Sequence, residues 1–272
     1  MIVSTEWLAA HLADPDLAIV DVRNVTREPE AGRRMYFAGH IPGAVFLDMD
    51  TDLADRSDLS KGRHPLPNPK QFVKALARVG IGQGKKVIAY DNTAGSNAAR
   101  LWWMMRWIGA SEAAILDGGI TKWVAESRKL ETGEPQEVPA LSPFDAKTNN
   151  EMLVDKRTVA RAKELGLLLL DARSPERYRG EREPIDNKAG HIPGAINAPW
   201  EQNVTSSTTP VMKTPSELQS QYRALGVTDP GKAVCYCGSG VTACLDILAL
   251  EMAGLRGAKL YPGSWSEWIA DP

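Results

Sequence analysis

An internal repeat constrains the fold of this chain more than any other feature of its sequence. The heptapeptide Ala-Gly-His-Ile-Pro-Gly-Ala at residues 38–44 recurs without change at residues 189–195. Three further segments recur around it in the same order: residues 19–23 as 169–173, residues 87–91 as 233–237, and residues 116–123 as 261–268. Four markers in one order indicate a tandem duplication, and a repeating unit of this length predicts two domains of one fold rather than a solenoid.

A chain of 272 residues accommodates two such domains, each with an ordinary hydrophobic core. Between the last marker of the first copy and the start of the second lies a segment with one glycine and three prolines and little apolar periodicity. We therefore predict an N-terminal domain at residues 1–130, a linker at residues 131–150 and a C-terminal domain at residues 151–272.

Both copies alternate short apolar runs with helical patterns. The sequence predicts strands at residues 17–21, 86–90 and 233–236, and helices at residues 69–79, 98–108, 215–225 and 243–252. Strands that alternate with helices predict an α/β fold in which each domain is a mainly parallel sheet flanked by helices. Ligands of such sheets bind beyond the carboxyl ends of the strands, where loops enter helices.

The composition excludes several classes of function. With 32 basic and 34 acidic residues, the formal charge of −2 offers no general attraction to nucleic acid or to an anionic membrane. No run approaches the roughly 18 apolar residues of a membrane-spanning helix, and the N-terminus lacks the basic start and apolar core of a secretory signal. The odd, clustered set Cys235, Cys237 and Cys244 is no disulfide framework, so we expect a reducing, cytoplasmic location.

Cys237 is the strongest candidate for chemistry. It follows the predicted strand at residues 233–236, and the loop Cys-Gly-Ser-Gly-Val-Thr leads from it into the predicted helix. Two glycines allow the backbone to curl with its N–H groups directed inward, and the helix adds the positive end of its dipole. These features predict a lowered pKa for the Cys237 thiol and a nucleophilic thiolate. The alternative is an unreactive cysteine that packs before a turn.

Two kinds of chemistry use a cysteine in such a loop. A cysteine phosphatase needs an arginine six residues after the cysteine, and Ala243 occupies that position. Transfer of sulfane sulfur needs only the thiolate and the N–H groups around it, so the loop favours this second chemistry. The spacing of the cysteines disfavours a metal site. We expect Cys235 to pack in the core, whereas Cys244 either packs there or forms a disulfide with Cys237 on oxidation.

The order of these motifs resembles the rhodanese family of tandem sulfurtransferases. The resemblance rests on Asp-x-Arg, Gly-His-Ile-Pro-Gly-Ala, a cysteine between a strand and a tight loop, and Gly-Ser-Trp-x-Glu-Trp, and it covers essentially the whole chain. It implies two rhodanese-like domains, a catalytically silent first domain, a persulfide on Cys237 and no metal or organic cofactor. Asp91 stands in the first domain where Cys237 stands in the second. Because an aspartate cannot form a persulfide, we expect Asp91 to cap the helix that follows it.

Within the family, the loop resembles that of members that use 3-mercaptopyruvate, because Gly238 and Ser239 stand where thiosulfate-type members usually carry basic residues. The resemblance implies a proton relay in which Ser239 pairs with His64 and Asp50 from the first domain. The alternative for His64 is an exposed loop residue before a proline. The loop residues expected to hold the transferred sulfur and the donor are Gly238, Gly240, Val241, Thr242 and Ala243.

Arg177 matches the arginine that binds the anionic group of the donor in this family. A second family arginine is expected just before the second Gly-His-Ile-Pro-Gly-Ala, but residues 183–186 read Glu-Pro-Ile-Asp. Arg179 or Arg182 could supply the charge instead.

Four other polar residues occur once in each repeat, although only one repeat has the cysteine. We therefore expect structural roles for them: His40 and His191 in the heptapeptide, and Asp21 and Asp171 at strand ends, where a carboxylate can bind neighbouring loop N–H groups.

We predict a sulfurtransferase that works by double displacement. The Cys237 thiolate takes sulfur from an anionic donor, with 3-mercaptopyruvate preferred, and an acceptor such as cyanide, a thiol or thioredoxin removes that sulfur. Two alternatives stay open: thiosulfate as the donor by the same persulfide mechanism, and a non-catalytic persulfide carrier for a partner protein. The expected partners are thus a small-molecule donor and acceptor, without nucleic acid or membrane.

Overall fold

The computed structural model describes residues 1–110, 112–134 and 139–270. These residues divide into two compact units. The first unit comprises Met1–Asp55, Pro67–Asn149 and Ser206–Val211, and the second comprises Arg56–Leu66, Asn150–Thr205 and the chain from Met212 onward. The segment Arg56–Leu66, which contains His64, therefore belongs to the second unit although the chain on both sides of it builds the first.

The first unit is built on a parallel sheet with the strand order β1-β5-β4-β2-β3. Its strands are β1 (Ile2–Val3), β2 (Leu17–Asp21), β3 (Val45–Phe46), β4 (Lys86–Tyr90) and β5 (Ala113–Leu116), and its helices are α1 (Thr5–Ala10), α2 (Ala31–Ala38), α3 (Pro69–Arg78), α4 (Ala98–Trp107) and α5 (Gly119–Ala125). The large apolar side chains of α4, including Trp102 and Trp103, are buried in the core.

The second unit is built on a parallel sheet with the strand order β7-β6-β8-β9. Its strands are β6 (Leu168–Asp171), β7 (Ile196–Asn197), β8 (Ala233–Tyr236) and β9 (Lys259–Leu260), and its helices are α6 (Lys156–Ala160), α7 (Ala162–Leu165), α8 (Pro175–Arg179), α9 (Pro215–Ala224), α10 (Ala243–Met252) and α11 (Ser264–Trp268). Short 3₁₀ helices lie at Leu59–Lys61, Asn150–Met152, Trp200–Asn203 and Pro230–Lys232. None of the helices within the described residues has the length and apolar character that crossing a membrane requires.

The predicted α/β fold is confirmed in both units. The strands predicted at residues 17–21, 86–90 and 233–236 form as predicted, and so does the helix at residues 243–252. Helices α3, α4 and α9 each end one residue earlier than predicted, because Val79, Ile108 and Leu225 are their C-caps. A C-cap continues the apolar pattern of a helix but has left its backbone conformation, so periodicity alone places it inside.

Asp21 and Asp171 perform the same structural task in the two units. Each carboxylate accepts the backbone N–H of the arginine two residues later and binds the guanidinium of that arginine. The guanidinium of Arg23 also donates to the carbonyl oxygen of Gly39, and that of Arg173 to the carbonyl oxygen of Gly190, both at 2.7 Å. The Asp-x-Arg motif therefore ties the end of a strand to the heptapeptide loop in each unit.

His40 and His191 also make matching contacts in the two units. The Nδ1 atom of His40 lies 2.8 Å from the carbonyl oxygen of Tyr36, and the two rings stack. His191 makes the same hydrogen bond, also at 2.8 Å, and the same ring stack with Tyr178. Because the two histidines make the same contacts in a unit with the cysteine and in a unit without it, these contacts are those expected of structural residues.

Candidate active site

Cys237 lies at the carboxyl end of β8, which has β6 and β9 as its neighbours in the sheet. The chain turns sharply through residues 237–242 into α10. Gly240 adopts a φ of +74°, and a Cβ atom at this position would overlap the carbonyl oxygen of Pro262. Only glycine fits both requirements without strain, so the tight loop predicted from the two glycines depends on Gly240 in particular.

The loop stabilises a thiolate on Cys237. Burial raises the pKa of this thiol, but the hydroxyl of Thr242 and the backbone N–H groups of Ser239, Ala243 and Gly240 bind the sulfur and bring the pKa below its ordinary value. Thr242 is the N-cap residue of α10, yet its hydroxyl does not cap the helix backbone. This hydroxyl forms a hydrogen bond with the sulfur of Cys237 instead. The result is a nucleophile that is 2% exposed and surrounded by donors.

The first turn of α11 fixes the backbone of the cysteine. The N–H of Cys237 donates to the Oγ atom of Ser264 at 3.1 Å, and the N–H of Trp265 donates to the carbonyl oxygen of Cys237 at 3.0 Å. Ser264 is buried and adopts a φ of +55°, which is strained for a residue with a side chain. The Gly-Ser-Trp motif thus holds the backbone at the start of the active-site loop through two hydrogen bonds.

His64 and Ser239 meet beside Cys237. The Nδ1 atom of His64 lies 2.7 Å from the Oγ atom of Ser239, and both side chains are buried. His64 is therefore not an exposed loop residue. The pairing predicted for these two residues from the family resemblance is present, within the second unit.

Two guanidinium groups cover Gly238. If Gly238 had a Cβ atom, the Nη2 atom of Arg63 would lie 2.7 Å from it and the Nη2 atom of Arg177 would lie 3.4 Å from it. Arg177 is the arginine predicted from the resemblance to bind the donor. Arg63 was not predicted, because it lies in a loop without periodicity; the only signal in the sequence was its position next to His64.

Two carboxylates hold these guanidinium groups. The Nε atom of Arg177 donates to Glu183 at 3.1 Å, and the Nη2 atom of Arg177 donates to it at 2.9 Å. Asp186 accepts from Arg177 at 3.0 Å and also binds the Nη1 atom of Arg63. Burial raises the pKa of Glu183, but Arg177 and the N–H groups of Asp186 and Ile185 hold it below its ordinary value. The stretch Glu-Pro-Ile-Asp therefore supplies the carboxylates that hold Arg177 and Arg63, and it does not supply the second cation itself.

The remaining predicted site residues are Arg182, Asp50 and Val241. Arg182 is exposed, and Arg179 is paired with Glu181 on the surface of the second unit. Asp50 belongs to the first unit, where its backbone N–H donates to the carboxylate of Asp48 at 2.8 Å. Val241 is buried within the loop. The roles suggested for Arg182 and Asp50 stay predictions.

The other two cysteines have environments unlike that of Cys237. Cys235 is fully buried in β8, and burial together with the nearby Asp246 raises the pKa of its thiol well above the ordinary value. The Sγ atom of Cys244, on the first turn of α10, lies 3.4 Å from the carbonyl oxygen of Gly240. All three cysteines are free thiols. Among the described residues, no group of three or more histidine, cysteine or acidic side chains is arranged to hold a metal ion.

The first unit has the same loop with an aspartate in it. One carboxylate oxygen of Asp91 accepts from the N–H groups of Thr93 and Gly95, and the other accepts from those of Asn97 and Ala98, at 2.7–2.9 Å. The expected capping role is thus present, but Asp91 performs it from six residues before the N-cap Asn97. In the first unit the loop N–H groups therefore bind the carboxylate of Asp91, whereas in the second unit the corresponding loop binds the sulfur of Cys237.

The chain is similar to known proteins along its full length. The model of the rhodanese-like domain matches residues 4–126 and 153–271. A probable 3-mercaptopyruvate sulfurtransferase of Pseudomonas aeruginosa is 41% identical over 276 residues, which cover 100% of this chain and 95% of that protein. A putative thiosulfate sulfurtransferase of Mycobacterium tuberculosis is 36% identical over 275 residues, covering 100% of this chain and 94% of that protein.

Solved structures agree with these matches. The 3-mercaptopyruvate sulfurtransferase from Leishmania major superposes with a TM-score of 0.89 at 30% identity, over 98% of this chain and 74% of that one. Two family matches, relatives aligned along the full chain and a shared tandem architecture agree with the cysteine loop described above. The chain belongs to the rhodanese family and is a sulfurtransferase with two tandem rhodanese-like domains.

Proposed function

We propose that this sulfurtransferase takes sulfur from 3-mercaptopyruvate, carries it as a persulfide on Cys237 and passes it to a thiophilic acceptor. The observation that carries the proposal is the hydrogen bond of 2.7 Å between His64 and Ser239 beside a thiol of lowered pKa. The pair His64 and Ser239 can move a proton, and the Cys237 thiolate can attack sulfur. Sulfur transfer from 3-mercaptopyruvate requires both steps.

The chemistry of the leaving group distinguishes the two donors. When Cys237 takes sulfur from thiosulfate, sulfite leaves as a stable anion and needs no proton. When it takes sulfur from 3-mercaptopyruvate, the enolate of pyruvate leaves and must be protonated at C3. A buried histidine that is hydrogen-bonded to a serine hydroxyl serves the second reaction and has no task in the first.

In the first step the Cys237 thiolate attacks the sulfur atom of 3-mercaptopyruvate. A sulfur–sulfur bond forms while the carbon–sulfur bond breaks, and the electron pair of the broken bond passes to C3. The proton of the donor thiol reaches C3 through the Ser239 hydroxyl and the His64 ring. The products are pyruvate and the Cys237 persulfide anion, and the total charge is unchanged.

The loop donors that lower the pKa of Cys237 are positioned to hold the persulfide. The N–H groups of Ser239, Gly240 and Ala243 and the hydroxyl of Thr242 already surround the sulfur, so a second sulfur atom with its negative charge would meet oriented dipoles. The guanidinium of Arg177 lies close enough to Gly238 to bind the donor's carboxylate at the mouth of this loop.

In the second step an acceptor nucleophile attacks the outer sulfur and restores the Cys237 thiolate. Cyanide, a small thiol and thioredoxin are acceptors of the required chemistry. The odd, clustered set of three cysteines supports a reducing, cytoplasmic setting.

A direct experiment tests the proposal. Purified protein is incubated with 3-mercaptopyruvate or with thiosulfate and weighed intact, beside a Cys237→Ser variant, and pyruvate release is followed in parallel. We expect one added sulfur on the wild-type protein, none on the variant, and multiple turnovers of pyruvate when a thiol acceptor is present.

Three outcomes would contradict the proposal. Equal sulfur loading of both proteins would remove Cys237 from its role. Turnover with thiosulfate that greatly exceeds pyruvate release would make thiosulfate the working donor. Stable loading without repeated turnover on small acceptors would identify a persulfide carrier instead.

A further inference from the structure

Arg63 is held firmly in the second unit, although it lies in a loop. Its backbone N–H donates to the Oγ atom of Ser266 at 2.9 Å, and its side chain is only 18% exposed. Its Nη1 atom binds Asp186, whereas its buried Nε atom has no hydrogen-bond partner among the described residues. A guanidinium with an unused donor, buried beside the nucleophile's loop, has capacity to bind a further acceptor.

The position of Arg63 relative to the cysteine loop indicates what that acceptor is. The Nη2 atoms of Arg63 and Arg177 both approach Gly238, the residue directly after the nucleophile. Two forked cations at one point of a loop are suited to a planar carboxylate, which can accept from both.

The carboxylate of Asp186 offsets part of the positive charge of Arg63 and Arg177. Its carboxylate binds Arg63 through one oxygen and Arg177 through the other, and its side chain is 6% exposed. The neighbouring Glu183 binds Arg177 and also Arg173. Each arginine of the cluster is therefore bound to at least one carboxylate before a donor arrives.

We propose that Arg63 and Arg177 together bind the carboxylate of the sulfur donor above Gly238, and that Asp186 makes this site selective for donors with a single negative charge. The proposal rests on the function proposed above and adds to it the second cation and the origin of donor selectivity. We call these three residues the donor clamp.

The selectivity follows from the fixed charge of Asp186. A donor with one carboxylate places its charge between the two guanidinium groups, and its neutral carbon chain carries the sulfur toward Cys237. A dianion such as thiosulfate brings a second charge into a partly dry site that already contains a carboxylate. Like charges repel most strongly where water is excluded, so Asp186 disfavours the dianion.

Alkylation of Cys237 tests the clamp without requiring any sulfur transfer. Iodoacetate carries a carboxylate and iodoacetamide is neutral, but both alkylate a thiolate with loss of iodide. The ratio of their rate constants at Cys237, followed by peptide mapping, therefore measures how well the loop attracts a carboxylate. Cys235 and Cys244 are fully buried and should stay unmodified, so peptide mapping assigns the alkylation to Cys237.

We expect the ratio of iodoacetate to iodoacetamide reactivity to fall at least about fivefold in Arg63→Gln and to recover in part in Arg63→Lys, which keeps the charge but loses the fork. Asp186→Asn should raise the ratio. Arg161→Gln, which removes an exposed arginine paired with Glu164 in the same unit, should leave it unchanged. Arg182→Gln tests the alternative cation directly.

Steady-state kinetics give the second measurement. Arg63→Gln should raise KM for 3-mercaptopyruvate at least about tenfold with little change in kcat, and should not raise KM for its neutral methyl ester. Asp186→Asn should improve kcat/KM for thiosulfate relative to 3-mercaptopyruvate by about tenfold or more. A merely structural role of Arg63 would affect the acid and its ester alike.

The outcomes separate the clamp from the proposed function. An unchanged alkylation ratio in Arg63→Gln, or a fall in Arg182→Gln instead, overturns the clamp whatever the turnover assays show. A reduced ratio in Arg63→Gln in a protein that never releases pyruvate supports the clamp as an anion site and refutes only the proposed donor.

Discussion

The Nδ1 atom of His64 lies 2.7 Å from the Oγ atom of Ser239, although 175 positions separate the two residues in the sequence. His64 reaches this position because the segment Arg56–Leu66 belongs to the second unit. The hydrogen bond places a group that can exchange a proton two residues away from the nucleophile. Its value for catalysis depends on the leaving group, which makes it testable with two donors.

Replacing His64 by asparagine should separate the donors. We expect pyruvate release from 3-mercaptopyruvate to fall by about 10²-fold or more, because the enolate loses its route to a proton. Sulfur loading from thiosulfate should change by only about threefold, since sulfite needs no proton. Rates from both donors are compared with those of His11→Asn, a control in the first unit. A parallel loss with both donors would show that His64 only supports the loop.

Asp50 provides a related test of the predicted relay. If Asp50 orients His64, Asp50→Asn should lower the rate with 3-mercaptopyruvate by about tenfold and leave thiosulfate loading unchanged. The exposed residue Asp145 supplies the matched variant, Asp145→Asn. Identical rates in wild type and Asp50→Asn with both donors would remove Asp50 from the relay.

Replacing Thr242 by valine should raise the pKa of Cys237. The Thr242 hydroxyl is one of the groups that hold this pKa below its ordinary value, and its loss leaves burial less opposed. The pH at which alkylation by iodoacetamide reaches half its maximum should move upward by roughly one unit, so reactivity below that pH falls roughly tenfold. Thr242→Ser keeps the hydroxyl and should keep the wild-type profile. A midpoint that moves downward in the valine variant would contradict this account.

Replacing Asp91 by alanine should destabilise the first unit. Four backbone N–H groups would lose the carboxylate that they share, and we expect a loss of roughly 3–5 kcal/mol in the free energy of unfolding. Denaturation by urea measures this loss, with Asp145→Ala as the control in the same unit. Asp91→Asn, which keeps one oxygen, should fall between the two. Stability equal to wild type in Asp91→Ala would show that other groups satisfy these donors.

Two substitutions of Ser264 should differ in stability. Both Ser264→Ala and Ser264→Gly remove the oxygen that accepts from Cys237, but glycine adopts the φ of +55° without strain. We therefore expect the alanine variant to be less stable than the glycine variant by about 1 kcal/mol. Urea unfolding of the two proteins compares them directly, and the reverse order would mean that the strain at Ser264 is absent.

The sequence predicts best what local pattern determines. Strand β8, the glycine loop and helix α10 appear where the apolar run, the two glycines and the helical spacing place them, so the lowered pKa of Cys237 could be anticipated. The pairing of His64 with Ser239 came from the family resemblance, because no local pattern links residues so far apart.

Arg63 shows where prediction from sequence fails. Its charge is unremarkable among many basic residues, and its role depends on Asp186 and Gly238, which only folding brings near. Residues 183–186 appear in the sequence as the loss of an arginine, whereas in the structure their two carboxylates bind three arginines.

The assignment of Arg56–Leu66 to the second unit has a consequence for any division of the chain. The elements on both sides of this segment build the first unit, whereas the segment itself belongs to the unit that contains Cys237. A gene fragment cut at residues 131–150 would therefore encode a nucleophile without its histidine and without one of its cations. The half of the chain that contains the cysteine therefore depends on residues encoded by the other half.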